Sequence, residues 1–446
     1  MKRVRIVFPT AWDRQQLAAH ADLFADVEVV FEPPDDADCA YDFDVLGYID
    51  RAIATWRGTT DGVVSSSDYP GAMVAAAIGS GLALPACAPD AVLRAAHKGL
   101  ARAVQSQQAP AATPPYSTFD PEVFDPSQPQ LDARIGWPCW VKPCKGTFST
   151  LARRVASARE LAAFLQEPFV AEYRACFLQI YGKLLRRYLG PDVDGTAFVA
   201  EGELRGELVT VEGFAADRGA QAIGVVDSVR HERTGSFAAF EYPSALPAAV
   251  QQRMAEVACR VADALHLRWT MFNVEMTWDP ATDAIGIVEL NPRMCGQFAD
   301  LWLKVDGVHG HRIALDLALG RTPRIARRGG TCAVAASFPL RAFAPARVLA
   351  VPGPDDLAAA QALFPGTLCW NEVRAGDLIG DFVRGEDGHS HRYGIVNLGA
   401  ASRRELAARR DAVVARLGYR LAPSEPPPDA PAGAGAASLQ PPPSAR

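Results

Sequence analysis

Two short apolar runs past the middle of the chain each carry an acid that a hydrophobic core would reject. They are Phe272-Asn-Val-Glu275 and Ile287-Val-Glu-Leu-Asn-Pro-Arg-Met-Cys-Gly296, a short hairpin's length apart. Paired as strands, they would bring Glu275, Glu289 and Asn291 together. Glu289 and Asn291 are two residues apart, so on a strand both face the same side. Val274 and Val288 flank the acids, and a carboxylate in such surroundings is costly unless a metal or a cation satisfies it. Oxygen ligands of this kind, with phosphates completing the shell, are how proteins usually hold Mg²⁺ on a nucleotide. The competing reading is two exposed strand acids followed by an Asn-Pro turn. Arg293 is then either their salt-bridge partner or a clamp on a phosphoryl group, which guanidinium geometry suits.

A chain of 446 residues is too long for one core, and the usual domain size suggests about three domains. Hydrophobic residues at 49% and charged residues at 22% give the balance of a soluble globular protein rather than a disordered one. The net charge is −6 and no Lys/Arg-rich run stands out, so neither nucleic acid nor an anionic membrane is indicated as a partner. Nine scattered cysteines form no CxxC pair and no zinc spacing. They read as reduced, buried thiols. No segment approaches the ~18 apolar residues of a membrane helix, and the chain enters a strand-like Val4-Arg-Ile-Val-Phe8 at once. The expectation is a cytoplasmic protein.

Strand and helix signals alternate up to about residue 115: Val4–Phe8, a helical pattern through Leu17 and Leu23, Val27–Phe31, a helix over Tyr48–Trp56, Asp61-Gly-Val-Val-Ser65, a helix over Pro70–Gly79, then Gly81-Leu-Ala-Leu-Pro85. Such interleaving predicts a parallel, doubly wound sheet. Neither G-x-G-x-x-G nor a Walker loop occurs, so the two commonest glycine grips on phosphate are excluded. After the connector Ala109–Pro115 come strands at Trp137–Pro143 and Arg153–Val155, a helix from Ser157 towards Phe164, and an antiparallel pattern over Phe198–Phe214 that Ile223–Asp227 continues. Val250, Met254, Val257, Val261 and Leu265 form one apolar helical stripe. From Gly330 the signals are β-rich (Cys332–Phe338, Val348–Val351, Ser390–Val396), then a helix spans Arg403–Leu417. Beyond about Ala422 the Pro/Ala/Gly/Ser composition predicts a disordered tail.

Lys142 ends a strand before the loop Cys144-Lys-Gly-Thr-Phe-Ser149. It can reach polyphosphate oxygens while loop N–H groups around Gly146 and Ser149 cover them, or it can simply blunt a sheet edge. Lys98 alone reads as a solvated helical lysine. Glu201, Glu203 and Glu207 read as a charged turn, or as a segment whose backbone through Leu204 meets an adenine edge while Glu207 takes ribose hydroxyls. His231 reads as structural or as a nucleotide contact. His309 and His311 read as a helix start, and no cysteine sits in a nucleophile context.

As a set, these motifs resemble the ATP-grasp superfamily, in the branch of carboxylate–amine ligases and biotin carboxylase. The match runs in order through Asp61-Gly-Val-Val, Ala96-His-Lys98 before Thr113-Pro-Pro, Val141-Lys142-Pro, Val199-Ala-Glu201 with Gly206-Glu207, Phe272-Asn-Val-Glu275, and Glu289-Leu-Asn-Pro-Arg293. The resemblance implies an α/β and α+β architecture: an N-terminal doubly wound domain (1–112), two α+β lobes enclosing ATP (113–197 and 198–328), a β-rich C-terminal part (329–420) and the tail (421–446). It implies Lys98 and Lys142 on the phosphates, adenine against Glu201, Glu203 and Leu204, and ribose on Glu207. Mg²⁺, for which Mn²⁺ is an acceptable substitute, would sit on Glu275, Glu289 and Asn291, with Arg293 as the catalytic cation. The implied reaction activates a small carboxylate as an acyl phosphate and joins it to an amine, with ADP as product. Biotin-carboxylase-like activation of bicarbonate and a nucleotide-binding module without catalysis are the alternatives. The chain departs from the pattern in the loop after Lys142, which usually carries several glycines and here has Gly146 almost alone. A homodimer is the default expectation for such a soluble enzyme.

Overall fold

The computed structural model describes residues 1–147, 149–380, 382, 387 and 389–424. The N-terminal sheet has β1 (Lys2–Val7), β2 (Val27–Glu32) and β3 (Gly62–Val64), all parallel in the order β2-β1-β3. Helices at Ala11–Ala19, Val45–Trp56 and Gly71–Gly81 follow the three strands. The first is fixed by a reciprocal cap between Thr10 and Asp13, which satisfies two otherwise unpaired donors. The candidate strand at Gly81–Pro85 is not one. The helix runs on to Gly81, and Ala83 turns the chain with φ +57.

A second sheet follows, with β4 (Tyr116–Phe119), β5 (Cys139–Pro143), β6 (Arg153–Val155) and β7 (Phe198–Gly202), antiparallel in the order β4-β7-β5-β6. Alternation splits it cleanly. Cys139, Val141, Val155, Phe198 and Ala200 are buried in the same core as Leu161, Phe164 and Leu165 of the helix Ala158–Leu165. The opposite face carries Trp140, Lys142, Val199 and Glu201. Because β7 pairs with β4 and β5, the boundary expected at residue 198 moves beyond Gly202. Two helices, Pro168–Ala175 and Leu178–Tyr188, fill the stretch before β7.

The largest sheet holds β8 (Glu207–Ala216), β9 (Gly219–Arg230), β10 (Phe237–Tyr242), β11 (Thr270–Asp279), β12 (Ala284–Asn291) and β13 (Val334–Ala342). A small sheet comprises β14 (Ala346–Ala350), β16 (Leu378–Ile379) and β18 (Arg420–Pro423), while β15 (Leu368–Asn371) and β17 (His391–Ala400) return to the large one. The large sheet's order is β12-β11-β8-β9-β10-β13-β17-β15. Three strands of the β-rich C-terminal part therefore extend this sheet through the β10–β13 pairing, and the other three form the small sheet. The helix Ala248–Ala264 buries Val250, Met254, Ala258 and Val261 against it, and each large apolar side chain so buried contributes about 1.5–3 kcal/mol. Val257 of the expected stripe is only partly buried. The tail expected from 421 is ordered as β18 up to Pro423; its remainder, from residue 425, lies outside the described residues. Among the described residues no helix is long and apolar enough to cross a membrane.

Two glycines shape the passage from β7 to β8. Gly206 sits at φ +103, and a Cβ there would lie 2.0 Å from the Trp278 carbonyl oxygen, so only glycine lets β8 start beside β11. A Cβ on Gly286 would lie 2.5 Å from Leu204; the bare backbone of β12 is what Leu204 packs on.

Candidate active site

The register of three strands builds one polar face. Glu275 lies opposite Glu289, and Asn273 opposite Asn291. On the other side of β11, Thr210 pairs with Glu275 and Glu212 with Asn273. Directly opposed residues share a face, so these six side chains stand together while Val211, Phe272, Val274, Met276 and Leu290 enter the core behind. The Asn291 amide donates to Asn273 Oδ1 at 3.1 Å and to Glu289 Oε1 at 3.2 Å. Asn273 Nδ2 donates to the Arg293 carbonyl at 3.4 Å.

Burial pushes the Glu275 carboxyl above its ordinary value, and the charge of Glu289 pushes it further. Burial would raise Glu289 too, but Lys98 and Lys142 hold it below the usual range. Glu289 is thus ion-paired with Lys98, whereas Arg293, Lys142 and Lys98 only partly offset the burial of Glu275 and the charge opposite it, the condition in which a divalent ion is favoured. Among the described residues no trio of His, Cys, Asp or Glu forms a ready-made metal cage. Two carboxylates and an amide fit Mg²⁺, which usually keeps water and phosphate in its remaining positions.

Cations converge on this face from other parts of the chain. Lys98 opens the helix Lys98–Gln108, which His97 caps. Its Nζ is 3.3 Å from Glu289 Oε2 and donates to the Gly146 carbonyl at 3.3 Å. Lys142 Nζ is 3.0 Å from Glu201 Oε2 and donates to the Val288 carbonyl at 3.2 Å. Arg102 donates to Glu201 Oε1 and to the same Val288 carbonyl, both at 2.7 Å. Asp68, from the loop after β3, bridges Lys145 Nζ at 2.7 Å and Arg293 Nε at 3.2 Å. Burial alone would raise the Asp68 carboxyl; Lys145 and Arg293 instead hold it far below the usual range.

Lys98, Lys142, Gly146, Glu201, Glu275, Glu289, Asn291 and Arg293 thus fall into one contiguous cluster. The side chains of the remaining expected residues lie outside it, while the backbone of Glu203 and Leu204, through which the adenine contact is expected, follows directly on Glu201 and the end of β7. Glu203 is ion-paired with Arg154, and Leu204 packs on Gly286. Ser149 is exposed at φ +58 in a turn. Glu207 is exposed and, by strand alternation from Thr210 and Glu212, lies on the opposite face of β8; the expected ribose contact is corrected on that ground. His231 packs edge-on to Phe343, ring centroids 5.0 Å apart, among β13 residues away from the cluster, so its nucleotide contact is corrected as well. His309 caps the helix Gly310–Ala318, the helix start expected, and His311 Nε2 meets Asp13 Oδ1 at 2.7 Å.

Sequence reasoning missed Asn273, Glu212, Arg102, Asp68 and Trp140. Asn273 was legible, two residues before Glu275 and so on its face. Trp140 is two before Lys142 and lies 40% exposed on the same side of β5. Asp68 and Arg102 carry no local signal, because only the packing of distant segments gives them partners.

No protein-family model matches the sequence, and no curated protein matches it either. Solved structures do. The chain is similar to L-amino acid ligase from Bacillus licheniformis with a TM-score of 0.72 and 14% identity, over 95% of this chain and 99% of that one. It is similar to carboxyaminoimidazole ribonucleotide synthase from Aspergillus clavatus complexed with ATP, with a TM-score of 0.63 and 12% identity over 93% and 98% of the two chains. A biotin carboxylase–β,γ-ATP complex from Campylobacter jejuni gives 0.61 and 13%, over 94% and 92%. At these identities the likeness is one of fold, and it spans nearly the whole of each chain. In fold, as distinct from the domain bounds, the expectation from the motifs is met: this protein has the ATP-grasp fold.

Proposed function

We propose that this chain is an ATP- and Mg²⁺-dependent, ADP-forming ligase that activates a small carboxylate as an acyl phosphate and joins it to an amine. The observation that carries the reading is the register of β11 and β12, which sets Glu275 against Glu289 with Asn291 and Arg293 beside them, facing Lys98 and Lys142. Solved structures of the same fold are named as amino acid ligase and as ATP, ADP or MgADP complexes, which supports the choice of ligands.

Glu275, Glu289 and Asn291 would hold the metal, which supplies charge neutralisation between phosphates. Lys98 and Lys142 bind and orient the phosphate chain. Arg293 faces the γ-phosphoryl group and stabilises the charge that spreads over its oxygens during transfer, the main demand of such chemistry. The substrate carboxylate oxygen attacks that phosphorus as the bond to ADP breaks. An amine then attacks the acyl carbon, the amide forms and phosphate leaves. Trp140 offers a flat apolar surface beside Lys142, suited to a purine. A cytoplasmic setting and a homodimer belong to the same proposal.

The test is Mg²⁺-dependent ADP and phosphate release with paired pools of carboxylates and amines, and with bicarbonate plus biotin as a separate arm. Stoichiometric ADP, phosphate and amide support the ligase. Release only with bicarbonate and biotin would transfer the reading to a carboxylase, and nucleotide binding without stimulated release would reject catalysis.

A further inference from the structure

The row of the polar face that holds Asn273 and Asn291 continues onto β8, where one side chain has no role in the chemistry described above. Glu212 stands there, opposite Asn273 on β11 and Gly224 on β9. It is 0% exposed, and neither carboxylate oxygen has a hydrogen-bond partner among the described residues. Burial raises its carboxyl to about 8, against the pull of Arg293 and of the Cys295 backbone amide. Its neighbours along the face, Phe214 and Met271, belong to an apolar cluster with Met294 and Phe298.

Two other buried acids, Asp13 and Glu201, are answered. Asp13, 1% exposed, accepts from Thr10, Ser66 and His311. Glu201, 4% exposed, lies between Arg102 and Lys142. Leaving a buried charged group unmatched costs more than the roughly 1–3 kcal/mol of a neutral one, and such a group calls for a functional account. Glu275 and Glu289 lie in the adjacent row, where Glu289 already meets Lys98, and Asn291, at the far end of Glu212's own row, spends its amide N–H groups on Asn273 and Glu289. Among the described residues Glu212 makes no ion pair; the charge of Arg293, whose Nε is taken by Asp68, acts on it without answering its burial. Asn273, the register partner of Glu212, donates to the Arg293 carbonyl, so a cationic residue and an acid that an arriving cation would hold ionised belong to one neighbourhood bordered by apolar side chains. That arrangement matches a zwitterion.

Resting on the ligase reading above, we infer that Glu212 receives the α-ammonium group of an α-amino acid whose carboxylate is the group activated beside Arg293. Bicarbonate and simple carboxylic acids carry no cation and leave Glu212 unanswered. Glu212 is then the residue that selects amino acids as the acyl donor.

The experiment uses the full chain, wild type and Glu212→Gln. Calorimetry with MgATP comes first; a wild type that binds no MgATP sinks the ligase reading itself. Mg²⁺-dependent ADP formation is then measured with L-alanine, L-leucine and L-phenylalanine against propionate, 4-methylpentanoate and 3-phenylpropionate, each with a saturating amine pool. Wild type is expected to favour an amino acid over its des-amino partner by about 10- to 100-fold in KM, the worth of a charge-assisted hydrogen bond. In Glu212→Gln that KM ratio collapses towards one while MgATP affinity stays within about twofold. The inference is overturned by wild-type MgATP binding without turnover of any amino acid, by equal KM values for amino acid and des-amino acid, or by a Glu212→Gln enzyme that keeps the wild-type ratio. The wild-type comparison holds even where the variant fails to fold.

Discussion

Replacing Glu201 by glutamine removes one negative charge from a buried knot that holds two cations. Glu201 is 4% exposed and Arg102 2% exposed; the acid meets Arg102 Nε at 2.7 Å and Lys142 Nζ at 3.0 Å. Breaking such a buried pair by removing one partner costs about 3–5 kcal/mol, because the remaining charge stays buried. A second route gives the same size. Burial alone would raise the carboxyl, yet Arg102 and Lys142 hold it at about 2 instead of 4.5, which corresponds to about 3 kcal/mol at neutral pH. The folded value is the lower one, so this stability is full above 4.5 and is lost as pH falls towards 2. Urea unfolding followed by tryptophan fluorescence reads the effect, since Trp140 is the register partner of Glu201. With a slope of about 1–3 kcal/mol/M, the midpoint of Glu201→Gln should fall by about 1–3 M at neutral pH. The gap from wild type should close as the pH drops through that window. Adding Arg102→Met should recover more than about 1 kcal/mol, a departure from additivity expected of contacting groups. A midpoint shift under about 0.5 M, or a gap indifferent to pH, would refute the reasoning.

Further outcomes follow from the same geometry. Glu289→Gln should keep the wild-type circular dichroism spectrum and lose Mg²⁺-dependent ADP formation by about 100-fold or more; near-wild-type turnover rejects the metal assignment. Lys142→Ala should weaken ATP binding by about 10- to 100-fold in calorimetry, and unchanged affinity removes Lys142 from the phosphates. Glu207→Ala and His231→Ala lie off the site face and should leave ATP affinity within about twofold; a tenfold loss in either would contradict their placement.

Much of the site was written in strand periodicity. Glu275, Glu289 and Asn291 could be assigned to one face because side chains alternate on a strand and the two segments are close enough for a hairpin. The alternation Gly206–Phe214 gave β8, and the stripe from Val250 gave its covering helix. Periodicity failed where continuity of a sheet, rather than of a segment, decided the outcome. β7 looks like the start of β8 but pairs with β4 and β5, and β13, β15 and β17 look like a separate domain but extend the large sheet. Glu207 was misassigned because its parity relative to Glu212 puts it on the far side, which the pattern already contained. His231 was misassigned for want of any periodic signal.

The sequence by itself determined the hairpin that opposes Glu275 and Glu289 and much of the strand–helix order, since each depends on spacing within a short segment; Lys98 and Lys142 entered the site through the resemblance of the motifs taken together. Only tertiary packing decided that Asp68 reaches Lys145 and Arg293, that Arg102 and Lys142 share Glu201, and that Glu212 is left without a partner. A charge's partners across more than 50 residues of chain depend on how sheets and loops meet, and no local pattern encodes that meeting.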